Sequence, residues 1–105
     1  MKPMFAYIPS NLDLCSEKHK DKYYFILTFI FYGRIFDKRN NSNSYIQLYS
    51  TFIKAIITGR YKEYIQELID NGVIETDNHY IRQKKSKSYR LTEKYRNKKI
   101  ERVRI

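Results

Sequence analysis

One stretch constrains this chain more than any other: YYFILTFIFY, residues 23–32, ten positions without a charge. It is too short to span a bilayer as a helix. It lies too far into the chain, behind acidic as well as basic residues, to serve as a signal peptide. A segment apolar on every side must be buried on several sides, so it reads as the central helix of a small core. The chain has 105 residues, about one domain. Ser16 can cap this helix, which then runs from about Glu17 through the charged EKHKDK to about Tyr32, with Gly33 as its stop.

The flanks sort by turn chemistry and period. Residues 1–15 hold both prolines, Pro3 and Pro9, and read as an extended arm anchored by Met4, Phe5, Tyr7 and Ile8. Residues 37–44 (DKRNNSNS) have loop composition. YIQL at 45–48 alternates like a short strand. Ser50 can cap a second helix, Thr51 to about Thr58, with apolar residues at 52, 53, 56 and 57. After Gly59 a third helix starts near Arg60, and Tyr61, Ile65, Leu68 and Ile69 share one of its faces. Asn71-Gly72 ends it, with Gly72 suited to the left-handed position. Val73–Thr76 and Tyr89–Thr92 then read as the strands of a β-hairpin whose tip is either Asp77-Asn78 or Lys84–Ser88. Residues 93–105 (EKYRNKKIERVRI) read as a last helix or a basic tail.

Charge is distributed unevenly. The formal net charge is +10, yet residues 1–44 carry 7 basic and 4 acidic groups, residues 45–80 carry 3 and 5, and residues 81–105 carry 11 and 2. Such segregation calls for a polyanionic partner, nucleic acid or an anionic membrane surface. Cys15 is the single cysteine, which rules out an intramolecular disulfide and fits a reducing, cytoplasmic setting. Eleven tyrosines can serve core and contact surface alike.

The order helix, short strand, helix, tight glycine turn, helix, strand, basic hairpin resembles the winged helix-turn-helix. ELIDNGVIE resembles the join from recognition helix to wing, and KSKSYRLT the returning wing strand of plasmid and phage replication and regulatory proteins. The resemblance covers about half the chain, Tyr45 to Tyr95. It implies an α+β fold of three helices, a short strand and a basic wing over residues 16–92, preceded by the arm and followed by an extra helix or tail. Richness in Asn, Lys, Ile and Tyr suggests a phage or mobile-element origin.

That resemblance nominates Thr58, Arg60, Lys62 and Gln66 on the third helix for base edges, with Glu63 able to accept from cytosine. Glu63, Glu67 and Asp70 on the same helix oppose phosphate binding. The wing offers Arg82, Lys84, Lys85, Lys87 and Arg90, five cations in nine residues, with Tyr80 and Tyr89 nearby for sugar or an unpaired base. The tail adds Lys94, Arg96, Lys98, Lys99, Arg102 and Arg104. Palindromic sites would require a homodimer, with the tail or the tyrosine-rich first helix as its surface. Duplex DNA is the expected partner, ahead of RNA, and a host or viral protein gripped by the same fold is the main rival. A membrane fits poorly, because the tail's apolar face is thin. Nothing calls for an enzyme, a cofactor or a metal: His19 and His79 stand apart, and HExxH, paired CxxC, Walker and GxSxG patterns are absent.

Overall fold

The computed structural model describes residues 5–13, 18–41, 43–47, 60–76 and 88–104. Along the chain these form β1 (Phe5–Pro9), α1 (Lys20–Phe36), β2 (Ile46–Gln47), α2 (Tyr61–Asp70), β3 (Ile74–Thr76), β4 (Ser88–Leu91), α3 (Glu93–Arg96) and β5 (Ile100–Arg104). The fold is α+β, with three helices and two small antiparallel sheets among the described residues.

The apolar run does become the centre. Tyr23, Ile26, Leu27, Thr28 and Ile30 of α1 are buried. They meet Ala6 and Ile8 of β1, Tyr64, Ile65 and Leu68 of α2, and Ile46, Ile74, Tyr89 and Leu91 of the second sheet. Burying each such aliphatic side chain is worth about 1.5–3 kcal/mol.

The helix differs from the sequence expectation at both ends. It begins at Lys20, where the His19 carbonyl accepts from the Lys22 and Tyr23 amides. The expected cap, Ser16, lies outside the described residues. Gly33 does not stop the helix, which continues to Phe36. Its role is clearance, since a Cβ there would collide with the side chain of Ile46 on β2. The Asn40 amide donates to the Gly33 carbonyl at 2.8 Å, so one of the end carbonyls is satisfied by the following loop.

The expected third helix is α2. Ile65 and Leu68 are buried as its spacing predicts, Tyr61 and Ile69 are half-buried, and Tyr64 joins the buried set. Gly72 follows at φ +70, the left-handed conformation that glycine adopts without penalty. β3 and β4 then pair antiparallel with Glu75 opposite Arg90, and β2 lies on the other side of β4 in the order β2-β4-β3. The expected second helix over 51–58 and the hairpin tip lie outside the described residues.

The C-terminal segment corrects the expectation of a last helix or basic tail. It makes one helical turn, α3, and then β5, which pairs antiparallel with β1 from Phe5↔Arg104 to Pro9↔Ile100. The arm and the C-terminal segment are therefore one two-stranded sheet. Burial along β5 does not alternate: Ile100 and Val103, on opposite faces of the strand, are half-buried, while Glu101, Arg102 and Arg104 are exposed. The other edge of β1 is tied to α1. The Thr28 hydroxyl accepts from the Tyr7 amide at 2.9 Å and donates to the Tyr24 carbonyl at 2.7 Å.

Candidate nucleic-acid interface

The nominated cations fall into two groups with different surroundings. Arg90 and Arg96 converge on Glu75. Arg96 Nη2 lies 2.9 Å from Glu75 Oε1, and Arg90 Nε lies 3.5 Å from the same oxygen. Arg96 also donates from Nε to the Leu91 carbonyl and from Nη1 to Asn43 Oδ1. Arg90 donates from Nη1 to the Asn43 carbonyl at 2.8 Å, and its guanidinium stacks 4.3 Å from the Tyr45 ring centroid. Their side chains are only 21% and 14% exposed. Both arginines thus join the α1–β2 loop to the hairpin and to α3. They hold the second sheet together and turn little of their charge outward.

The other C-terminal cations stand outward. Lys94, Lys99, Arg102 and Arg104 are exposed and Lys98 is half-buried. None of the five has an ion pair among the described residues. Lys94 and Lys98 both place their ammonium groups over the buried Tyr95 ring, at 5.2 and 5.5 Å, a cation–π arrangement that leaves Lys94 exposed and Lys98 half-buried. Arg102 covers the Phe5 ring at 4.7 Å. Acids in this segment are few, Glu93 and Glu101.

On α2 the nominated base readers are already engaged along their own helix. Arg60 lies 3.8 Å from Glu63, and Gln66 donates to Asp70 at 2.9 Å. Lys62 is exposed. These links are at the surface and are worth little, so a ligand can replace them. Glu67 is different, because it turns inward and accepts from the hydroxyl of the fully buried Tyr23. The acidic character of the outer face is therefore smaller than the sequence implies.

Arg82, Lys84, Lys85, Lys87, Thr58, Tyr80, His79 and Cys15 lie outside the described residues. His19 is half-buried, with its ring 4.9 Å from that of Tyr64. Among the described residues no group of three or more His, Cys, Asp or Glu side chains could hold a metal, and no helix is long and apolar enough to cross a membrane.

Sequence reasoning missed the Glu75–Arg90–Arg96–Asn43 cluster. One signal pointed to it: Glu75 is the one acid on the first hairpin strand, and an antiparallel register places it opposite Arg90. Asn43 carried no such signal, since its contacts depend on how the loop folds back. Comparison with protein-family models, curated proteins and solved structures finds no match.

Proposed function

We propose that this chain is a small nucleic-acid-binding protein of winged-helix type that holds double-stranded DNA through phosphate contacts from its hairpin and C-terminal cations. One observation carries the reading: Lys94, Lys98, Lys99, Arg102 and Arg104 make no ion pair with any described carboxylate, in the quarter of the chain that holds nearly all the excess charge. Each phosphate neutralised by such a cation releases counterions, which makes affinity strong at low salt and largely independent of sequence. The winged-helix part is supported by the order α1, β2, α2, β3, β4 and by β2 lying beside the hairpin. Under this reading α2 faces the major groove. Arg60 and Gln66 would exchange their intrahelical acids for base edges, and sequence choice stays modest because phosphate contacts supply most of the affinity.

Neutralising Lys84, Lys85 and Lys87 together tests the wing. Duplex affinity should fall by a similar factor on unrelated sequences, because phosphate contacts carry no sequence information. Equal retention by parent and variant would remove the wing from the mechanism. Changing Arg60 and Gln66 to Ala should shift sequence preference with a small loss of affinity. A salt-insensitive complex with a purified protein, without any duplex retention at low salt, would favour a protein-interaction module instead.

A further inference from the structure

A second surface stands apart from the hairpin. On β1, Phe5 and Tyr7 share one face, and across the β1–β5 ladder Arg104 and Arg102 stand on that same face. The ring of Tyr7 stacks on Phe31 of α1 at 5.1 Å and meets Tyr32 edge-on at 5.5 Å. Tyr32 in turn stacks on Phe36 at 5.5 Å. The Tyr7 amide bonded to Thr28 fixes strand and helix in this relation. The ladder is not buried: Phe36 is 79% exposed and Phe5 42%, with Ile35 beside them at 52%. Its charge is of one sign. The Arg102 guanidinium covers Phe5, and Arg34 lies 5.9 Å from the Phe31 ring. The buried Nε of Arg34 has no hydrogen-bond partner among the described residues. The nearby acids are spoken for or turned away: Asp37 is held by Arg39 at 2.9 Å, and Glu101 stands opposite Ile8 on the other face of the sheet.

We propose that this aromatic and arginine face binds single-stranded nucleic acid, with unpaired bases stacking on Phe36 and Phe5 and phosphates meeting Arg102 and Arg104. Exposed rings offer the π-faces that every base can use, and interleaved guanidiniums supply the charge that tracks the backbone. A second copy of the chain is a poor occupant, because it would bring Arg34, Arg102 and Arg104 against their own counterparts without an acid between them. The site shares Arg102 and Arg104 with the duplex reading but adds the rings of Phe5 and Phe36, so its preference for oligo-dT over an abasic strand can hold or fail whatever the duplex affinity is.

The test uses the full chain and three ligands: oligo-dT, an abasic strand of equal length, and a duplex. The chain has eleven tyrosines and no tryptophan, and Tyr7 and Tyr32 belong to this ladder, so tyrosine emission reports occupancy of the face while affinities come from the anisotropy of labelled strands. Oligo-dT should quench it and bind more tightly than the abasic strand. Phe36→Ala and Phe5→Ala change exposed rings, and each should weaken oligo-dT by about ten-fold while leaving duplex binding unchanged. Arg102→Ala with Arg104→Ala should weaken oligo-dT and the abasic strand alike. The Lys84, Lys85 and Lys87 variant should keep the difference between oligo-dT and abasic strand, whatever happens to its duplex affinity. Equal affinity of the parent for oligo-dT and abasic strand overturns the proposal. So does an unchanged affinity of Phe36→Ala for oligo-dT, or a parent dimer in sedimentation that Phe36→Ala makes monomeric.

Discussion

At the scale of single residues, the decisive distinction is between cations that hold the fold and cations that face outward. Glu75 balances both Arg90 and Arg96. Changing Glu75 to Ala leaves two largely buried guanidiniums without their carboxylate. The expected cost is about 1–3 kcal/mol in urea unfolding, below that of a fully buried pair because Glu75 is itself 36% exposed. Lys94→Ala removes an exposed charge and should stay within about 0.5 kcal/mol. A stability loss for Lys94→Ala equal to that of Glu75→Ala would show that the two classes are not distinct. Asp37 supplies a pH signature. Hydrogen bonds from Arg39 hold its carboxyl below the usual carboxylate range. A carboxyl lowered in the folded state contributes stability above its unfolded value and loses it as pH falls through the folded one. The contribution is small here because the two residues are only two apart, Arg39 is 90% exposed, and the pair can form in the unfolded chain. Carbon-detected titration should find Asp37 low in the parent and back at the ordinary value in Arg39→Ala. Of these features, the outward cations are legible in the sequence as excess charge. Which two are consumed is not legible, because that depends on the hairpin register and on a loop carbonyl.

At the scale of elements, α1, α2 and the hairpin strands follow from apolar spacing and from Asn71-Gly72, whose conformational demand is local. β5 is different. Its residues IERVR carry only two apolar side chains, and its partner β1 is at the opposite end of the chain, so no local signal marks it. Truncation after Lys99 should remove the cover of β1 and lower the urea midpoint clearly. A trailing tail would leave the midpoint unchanged, and that result would refute the β1–β5 sheet. Gly33 gives a second test of element packing. In an isolated helix Gly→Ala is stabilising by about 1 kcal/mol. Here the added methyl meets Ile46, so Gly33→Ala should destabilise by about 1–3 kcal/mol. Ile46→Ala should relieve that clash, making the double variant less unstable than the sum of the two single changes.

At the scale of the whole molecule, two groups of cations stand on different elements among the described residues: Lys94, Lys98 and Lys99 around α3, and Arg34, Arg102 and Arg104 along the aromatic face of β1, α1 and β5. The sequence marks the first through charge segregation. It hides the second, because Tyr7, Phe31, Tyr32 and Phe36 are scattered among core-like aromatics until β1 lies along α1. The proposed electrostatic retention of nucleic acid is tested most directly by the salt dependence of duplex binding. Fluorescence anisotropy between about 50 and 200 mM salt should give a logarithmic affinity that falls linearly with the logarithm of salt. Four or five neutralised phosphates predict a slope of about −4. A slope near zero, or no duplex binding at the lowest salt, would contradict the account.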